Sequence, residues 1–335
     1  MRAVLLTAHG GYECLDVRND VPVPTPGPED VLVQIAAAAV NNTDINTRVG
    51  WYEGGGWTGS FRFPRIQGID GCGRIVAVGD GISTGRIGQR VLIEPCWREP
   101  GAPLGEVRFF GSEVDGSFAE FAVVPARHAH RIDSDLADDE LASFPCSYST
   151  AENMLCRSGV AEGERVLVTG ASGGVGSAAV QLAAARGAHV TAIAGSAKHA
   201  LLRELGAEAT LDRDDDVVAG CGTDAFEVVI DVVGGDTWPA LLQVLRPGGR
   251  YAVAGAIAGP VVPLDLRTLY LKDQTFFGCT VLGDGVFTSL VQRIERGEVR
   301  PVVAATFPLE RIVDAQEMFL TKGHVGKIVL QVTAP

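Results

Sequence analysis

The sequence predicts an α/β fold in two domains, one of them built on a doubly wound parallel sheet. With 335 residues, the chain is long enough for two domains that each bury a core. In its middle, short apolar runs alternate with longer amphipathic segments, which is typical of strands buried on both faces and separated by helices. Before that region, short strand-like runs are separated by turn residues, as in a small β-rich module.

The middle region supplies five strand candidates with a helix candidate between successive strands. These runs are residues 165–170, 189–195, 225–231, 249–256 and 275–282. Repeats of this kind form a parallel sheet with right-handed crossovers.

The strand candidates of the β-rich module are 31–40, 71–79, 89–95 and 118–125. Near the end of the chain, two helix candidates (284–297 and 309–323) precede a strand candidate at 326–332. The pattern alone leaves open which domain receives this tail.

Charge and cysteine content restrict the function classes. The net charge of −13 argues against nucleic-acid binding, which needs a basic face, and favours solubility. Seven cysteines, odd in number and without clustered spacing, indicate reduced thiols in a cytoplasmic protein, because no secretory signal is apparent. The least charged long run, 251–264, contains two prolines and is too short to cross a membrane.

A glycine-rich corner follows the first strand of the middle region. The strand ends at Gly170, and Gly173 and Gly176 stand at the start of a helix candidate, where backbone N–H groups can approach a pyrophosphate. Ala171 replaces the first glycine of the usual G-x-G-x-x-G pattern, and a glycine turn without a ligand is the alternative interpretation. The predicted cofactor contacts in this corner are Gly170, Ser172, Gly173, Gly174, Val175 and Gly176.

The end of the second strand indicates which dinucleotide binds. NAD sites usually place an acid there, but this sequence has none between Glu164 and Glu204. Gly195 leaves room for a phosphate, Ser196 can donate to it and Lys198 can neutralise it. The sequence therefore predicts NADPH over NADH, with a merely solvent-facing Lys198 as the alternative.

Five motifs, in order along the chain, resemble the medium-chain dehydrogenase/reductase superfamily. They are VNNTDINTRVGWY (40–52), PRIQGIDGCGRIVAVG (64–79), GASGGVGSAAVQLA (170–183), DVVGG (231–235) and GKIVL (326–330). The resemblance implies a GroES-like β-rich catalytic domain, to which the C-terminal tail returns, and a Rossmann domain. The expected limits are 1–130 with 283–335 for the catalytic domain and 131–282 for the Rossmann domain.

The superfamily divides on zinc, and this sequence resembles the zinc-free branch of quinone oxidoreductases and enoyl reductases. Asn41 stands where zinc alcohol dehydrogenases have a cysteine ligand, and Gly68-Ile69-Asp70 replaces their G-H-E. Cys146 aligns with the third ligand, and one thiolate cannot form a three-ligand site. The stretch 94–116 holds only Cys96 of the four cysteines of a structural zinc lobe, and His128 and His130 lack a third partner. No metal is therefore expected.

The resemblance implies an NADPH-dependent, zinc-independent reductase of α,β-unsaturated carbonyl compounds (quinone, enone or enoyl type). Hydride would pass to the β-carbon, and hydrogen-bond donors would stabilise the developing enolate. Tyr52 matches the tyrosine that supplies a proton or hydrogen bond in enoyl reductases, and Asn41 and Thr43 are the other candidate donors. A mobile surface aromatic is the alternative for Tyr52. Two alternative functions remain open: an alcohol dehydrogenase with an atypical metal site involving Cys146 and Cys96, and a non-catalytic NADPH-binding redox sensor or scaffold.

The resemblance also implies further contacts and an assembly. The additional cofactor-contacting residues are Thr150, Gly255, Ala256, Ile257, Phe277, Gly278, Cys279 and Lys327. The strand candidate 275–282 is the expected edge through which a homodimer forms. Aromatic residues that could enclose a bulky substrate, or pack between loops instead, are Trp57, Phe61, Trp97, Phe109 and Phe110.

Overall fold

A computed structural model describes residues 1–55, 61–99 and 101–333, and the chain divides into two compact units. The terminal unit comprises Met1–Cys146 and Pro301–Pro335, and the central unit comprises Ser147–Arg300. The two boundaries between the units, after residues 146 and 300, lie further along the chain than the predicted boundaries after residues 130 and 282. The Cys146 amide donates to the Asp70 side chain within the terminal unit, at 2.6 Å. Arg293, beyond residue 282, pairs with Glu152 within the central unit, at 3.4 Å.

The N-terminal part of the terminal unit is a β-rich module with two short helices. Its strands are β1 (Ala3–Leu6), β2 (Leu15–Arg18), β3 (Asp30–Val40), β4 (Arg65–Ile66), β5 (Asp70–Val78), β6 (Arg90–Ile93), β7 (Cys96–Trp97), β8 (Arg108–Phe109), β9 (Phe121–Pro125) and β10 (Ala129–Arg131). Its helices are α1 (Asn42–Arg48) and α2 (Asp138–Leu141). The inward side chains of β3, among them Val33 and Ile35, are fully buried in one apolar core.

The central part of the chain alternates strands and helices, as predicted. The helices are α3 (Pro145–Arg157), α4 (Gly174–Ala184), α5 (His199–Glu204), α6 (Val217–Cys221), α7 (Trp238–Val244), α8 (Leu266–Leu271) and α9 (Val286–Glu295). The strands are β11 (Arg165–Val168), β12 (His189–Ala194), β13 (Ala209–Asp212), β14 (Phe226–Asp231), β15 (Leu245–Val253) and β16 (Thr275–Gly278).

The six central strands form one parallel sheet in the order β13-β12-β11-β14-β15-β16. The chain enters this sheet at its middle strand, β11. It then adds strands outward on one side and afterwards on the other, so the predicted doubly wound fold is confirmed. The sequence analysis missed β13, because this edge strand has no fully buried residue and hence no apolar run. The predicted strand 275–282 ends early, at Gly278.

The last segment of the chain completes the terminal unit. It contains β17 (Val303–Pro308), α10 (Ile312–Leu320) and β18 (Lys327–Gln331). Strand β18 pairs antiparallel with β3, with Ile328 opposite Val40, in a seven-stranded sheet with the path β10-β6-β5-β3-β18-β17 and β9 also paired to β3. This pairing settles the question that the sequence pattern left open, and the tail belongs with the β-rich module. Among the described residues, no helix combines the length and apolar character that crossing a bilayer requires.

Candidate functional site

The polar segment that begins at Asn41 becomes the start of helix α1. Strand β3 ends at Val40, and Asn41 takes extended backbone angles as the helix N-cap. The side chain of Asp44, in the first turn, accepts hydrogen bonds from the backbone N–H of Asn41 (2.8 Å) and of Ile69 (3.2 Å). Burial raises the pKa of Asp44 to about 7; the Asn41 amide opposes this rise and the charge of Asp70 adds to it.

A buried network joins Asn41, Asp70 and Lys327 across the terminal unit. Asp70 is fully buried, and its Oδ2 lies 2.8 Å from Lys327 Nζ and accepts a 2.8 Å hydrogen bond from Asn41 Nδ2. Asn41 Nδ2 also donates to the Ala39 carbonyl (3.1 Å), while Asn41 Oδ1 accepts from Lys327 Nζ (2.5 Å). With the Cys146 amide on its other oxygen, the Asp70 carboxylate is compensated in charge and in hydrogen bonds.

These contacts define what Asn41 can do. Both hydrogens of its side-chain amide are directed at acceptors inside the terminal unit, and its oxygen accepts from an ammonium group. In this arrangement Asn41 fixes the start of α1 rather than offering a donor outward. Its predicted role as a donor to the substrate oxygen therefore stays a prediction, one that would require an internal bond to be exchanged.

Thr43 and Tyr52 are brought together by α1 and the short turn after it. The Tyr52 hydroxyl donates to Thr43 Oγ1 at 3.3 Å and accepts from Asn46 Nδ2 at 3.5 Å. Both distances are long for hydrogen bonds to a hydroxyl, so the tyrosine hydroxyl could exchange them for a shorter bond to a ligand. Burial raises the pKa of Tyr52, against the opposing effect of the Thr43 and Asn46 contacts, which keeps the hydroxyl protonated around neutral pH.

The side chains considered as metal ligands have other partners. Glu94 contacts His128 Nδ1 (2.7 Å) and His130 Nε2 (3.1 Å). Burial alone would raise the pKa of Glu94, but the two histidine contacts outweigh it and the pKa is lowered. Within residues 1–55, 61–99 and 101–333, no three His, Cys, Asp or Glu side chains form a group that could hold a metal ion.

The aromatic residues predicted to enclose a substrate lie in two different surroundings. Trp97 and Phe110 are buried and pack against each other, with ring centroids 5.5 Å apart. Phe61 lies in a separate cluster with His9 and Phe63. Packing thus accounts for Trp97 and Phe110, and Trp57 lies outside the described residues.

In the central unit, the predicted glycine corner connects β11 to α4. Gly170 adopts a φ of +55°, and Gly173 is the N-cap of α4. A methyl group added at Gly176 would lie 2.2 Å from the Gly170 carbonyl oxygen, whereas one at Gly173 would lie 3.5 Å from it. Only glycine at 176 permits this close turn, whose exposed backbone N–H groups at a helix start suit a pyrophosphate. The corner therefore fits a dinucleotide, with Ser172, Gly174 and Val175 completing the loop and first turn.

The end of β12 carries the residues predicted to select the cofactor. Lys198 Nζ donates to Ser172 Oγ across the corner at 3.3 Å, and Gly195 precedes it. The Ser196 amide donates to Asp212 Oδ2 at 2.7 Å. Asp212 is an acid that the sequence analysis did not place here, because it lies on the missed strand β13.

The other predicted cofactor contacts in the central unit cluster at one edge of the sheet. Gly255, Ala256 and Ile257 follow β15, and Phe277, Gly278 and Cys279 end or follow β16. These ends are carboxyl ends of parallel strands, the side where open α/β sheets bind ligands. Thr150 lies in α3, half-buried. Lys327 belongs instead to β18 of the terminal unit, in the network described above.

Two contributors to these sites escaped the sequence analysis for different reasons. Asp70 was noted only as a replacement within a motif, and its ion pair with Lys327 spans most of the chain. Arg213 directly follows the missed strand β13. The sequence signal that could have located it is the short run ATLD (209–212), which Arg213 follows.

Comparisons with known proteins agree with this architecture. Residues 27–134 match the family model for an alcohol dehydrogenase GroES-like domain, and residues 174–296 match that for a zinc-binding dehydrogenase. A quinone oxidoreductase from Lama guanicoe is 32% identical over 98% of this chain and 97% of its own. An acryloyl-coenzyme A reductase from Metallosphaera sedula is 31% identical over 98% of this chain and 99% of its own.

A solved structure is also closely similar. A putative alcohol dehydrogenase from Sinorhizobium meliloti superposes with a TM-score of 0.94 at 44% identity, covering 99% of this chain and 96% of its own. The sequence similarity extends over both units rather than one motif. The chain therefore belongs to the medium-chain dehydrogenase/reductase superfamily, in the zinc-free branch that contains quinone oxidoreductases and acryloyl-coenzyme A reductases.

Proposed function

We propose that this protein is an NADPH-dependent, zinc-independent reductase of α,β-unsaturated carbonyl compounds. The observation that carries the proposal is the Thr43–Tyr52 hydroxyl pair, formed between the start of α1 and the turn after that helix. The expected metal-ligand positions of the same unit hold Asn41 and Ile69. The related quinone oxidoreductase and acryloyl-coenzyme A reductase carry names that fit conjugate reduction of activated alkenes.

The hydroxyl pair supplies what conjugate reduction requires of the protein. The nicotinamide, when bound, supplies hydride to the β-carbon of the alkene. Negative charge then develops on the carbonyl oxygen, and a protonated Tyr52 hydroxyl can donate a hydrogen bond to it while Thr43 orients that hydroxyl. One such donor is worth about 3–4 kcal/mol in a transition state. Because the pKa of Tyr52 is raised, the donor remains protonated at the pH of the reaction.

The buried network of Asn41, Asp70 and Lys327 stabilises the start of helix α1. The Asn41 side-chain oxygen accepts a hydrogen bond from Lys327, and its nitrogen donates one to Asp70. Asn41 is the N-cap of α1, the helix that carries Thr43. We assign Asn41 a positioning role in the proposed reaction, because its amide is already bonded on each side. The buried charges are fixed inside one domain, so they preorganise α1 without reorganisation during turnover.

Three features of the central unit support NADPH as the cofactor. The corner at Gly176 fits a dinucleotide, Lys198 stands beside Ser172 at the end of β12, and Gly195 contributes no side chain. A 2′-phosphate carries negative charge that Lys198 can offset, whereas the 2′-hydroxyl of NADH gains nothing from a cation. Asp212 is an acid that contacts this segment, and its Oδ2 accepts a hydrogen bond from the Ser196 amide.

Steady-state assays with paired cofactors test the proposal directly. NADPH and NADH consumption would be followed with a quinone, an enone and an enoyl thioester, and with simple ketones as controls. We expect turnover of at least one activated alkene or quinone, a higher kcat/KM with NADPH, and no loss after dialysis against a chelator.

Other results would favour the two alternatives. Alcohol oxidation that depends on a metal found in purified protein would indicate an alcohol dehydrogenase. Tight NADPH binding without turnover of any substrate in the panel would indicate a sensor or scaffold. Either result would contradict the proposed reductase.

The edge of the central sheet supports a homodimer. Strand β16 ends the sheet, and α8, directly before it, exposes Leu266, Tyr270 and Leu271 by 60% or more of their surface. Large exposed apolar side chains beside an edge strand suit a second copy of the chain. Light scattering of wild type and Leu271→Asp should show a dimer that the charge weakens. Within the described residues the seven cysteines form no disulfide, which supports a cytoplasmic location.

A further inference from the structure

An arginine leaves the central sheet beside Gly195, the glycine that follows β12. In the parallel register of β12 and β13, Ala194 lies opposite Asp212. Gly195 and Arg213 therefore directly follow the two neighbouring strands at equivalent positions. A methyl group added at Gly195 would lie 3.9 Å from both Nε and Cζ of Arg213. The guanidinium therefore lies over the position where NAD-binding relatives of this fold place an acid.

Arg213 and Lys198 place two positive charges near this position. Burial lowers the pKa of Lys198, and the like charge of Arg213 lowers it further. Lys198 Nζ is directed at Ser172 Oγ in the glycine corner. The two cations thus approach the end of β12 from two different segments, one before α5 and one after β13.

The nearby carboxylates do not neutralise Arg213. Asp212 accepts from the Ser196 and Asp214 amides, and Asp216 accepts from the Val218 and Ala219 amides. Arg213 makes no ion pair or hydrogen bond with any residue in the described part of the chain. The guanidinium of Arg213 is exposed and therefore remains available to an external anion.

We propose that Arg213 is a specificity-determining ligand of the 2′-phosphate of NADPH, acting together with Lys198 and Ser172. This inference rests on the proposed function, because it names a residue for the cofactor chosen there. A phosphate between the two cations relieves their repulsion and accepts charge-assisted hydrogen bonds from a guanidinium. NADH leaves the repulsion in place, so Arg213 adds discrimination as well as affinity.

Calorimetric titration with two adenine nucleotides tests the inference without turnover. The probes are 2′,5′-ADP, which carries the 2′-phosphate, and 5′-AMP, which does not. Arg213→Gln should weaken 2′,5′-ADP binding about 10- to 100-fold, as expected for a hydrogen bond to a charged group, and leave 5′-AMP within about twofold. Arg213→Lys should retain part of the affinity, because it keeps the charge and loses the planar fork. Arg267→Gln, which removes an exposed arginine paired with Asp265, is the matched control and should change neither affinity.

The outcomes separate this inference from the proposed cofactor preference. If wild type prefers 2′,5′-ADP and Arg213→Gln keeps that preference, Arg213 is not a phosphate ligand and the NADPH proposal stands. If wild type binds 5′-AMP as tightly as 2′,5′-ADP, both fall, and Asp212 becomes the candidate ligand of a 2′-hydroxyl. Weaker binding of both probes by Arg213→Gln would assign Arg213 a structural role and overturn the inference.

Discussion

The two candidate sites of this molecule are built in opposite ways. The glycine corner of the central unit is formed by backbone atoms, and it requires residues without a side chain at positions 170 and 176. The network of the terminal unit is made by side chains, with buried charges on Asp70 and Lys327. A backbone site is local, spanning a few residues, whereas the side-chain network joins positions 286 residues apart. Single substitutions should therefore affect ligand binding in the first site and domain stability in the second.

Removing the buried cation should give the largest effect. Lys327→Met leaves the fully buried Asp70 without its charge partner, which should lower the free energy of unfolding by about 3–5 kcal/mol. Thermal denaturation followed by tryptophan fluorescence measures the change. Arg311→Met, which removes a surface cation of the same tail paired with Asp314, is the control and should cost less than about 1 kcal/mol. The double variant Asp70→Asn/Lys327→Met should recover part of the loss; a double variant less stable than Lys327→Met would contradict a paired charge.

Closing the glycine corner should leave the terminal unit intact but weaken nucleotide binding strongly. In Gly176→Ala, the new methyl group would meet the Gly170 carbonyl oxygen at 2.2 Å and force the turn open. We expect 2′,5′-ADP to bind on the order of 100-fold more weakly, corresponding to an overpacking cost of 1–3 kcal/mol. Gly173→Ala has 3.5 Å of space at the equivalent point and serves as the matched variant. Equal losses in the two variants would contradict a steric origin.

Removing the donor hydroxyl should reduce turnover and leave nucleotide binding unchanged. Tyr52→Phe should lower kcat about 100-fold, in the range found when one oxyanion donor is removed. Because the pKa of Tyr52 is raised, kcat of wild type should show no loss of the donor as the pH rises from 7 to 9. A Tyr52→Phe enzyme with wild-type kcat would show that this hydroxyl does not act in the rate-limiting step.

The last prediction concerns stability, and its effect appears only when the pH changes. The pKa of Asp44 in the folded protein is about 7, above the ordinary value of roughly 3.9 in the unfolded chain. Its neutral form therefore stabilises the fold at acid pH, and this contribution is lost as the pH rises towards 7 and is constant above it. Relative to Asp44→Asn, wild type should lose about 1.4 kcal/mol of unfolding free energy per pH unit between pH 5 and 7. Parallel pH profiles of the two proteins would contradict a raised pKa.

Sequence reasoning reached the fold and the glycine corner because both depend on local patterns. The buried runs of β11, β12 and β14 and the glycines at the start of α4 are visible within a few residues. Strand β13 was missed because it is half-exposed, and Asp212 and Arg213 were missed with it. The partners of the Asn41 amide, Asp70 and Lys327, could not be predicted, because they lie on distant strands that only the folded sheet brings together.

The position of β18 beside β3 has a consequence for biosynthesis. During translation, the first 146 residues leave the ribosome with one neighbour of β3 still missing, and the central unit can fold while they wait. Asp70 meets its ammonium partner only when the final strand emerges. A nascent chain stopped before Lys327 would hold an uncompensated carboxylate in its interior, so a truncated terminal unit should be markedly less stable than the complete one.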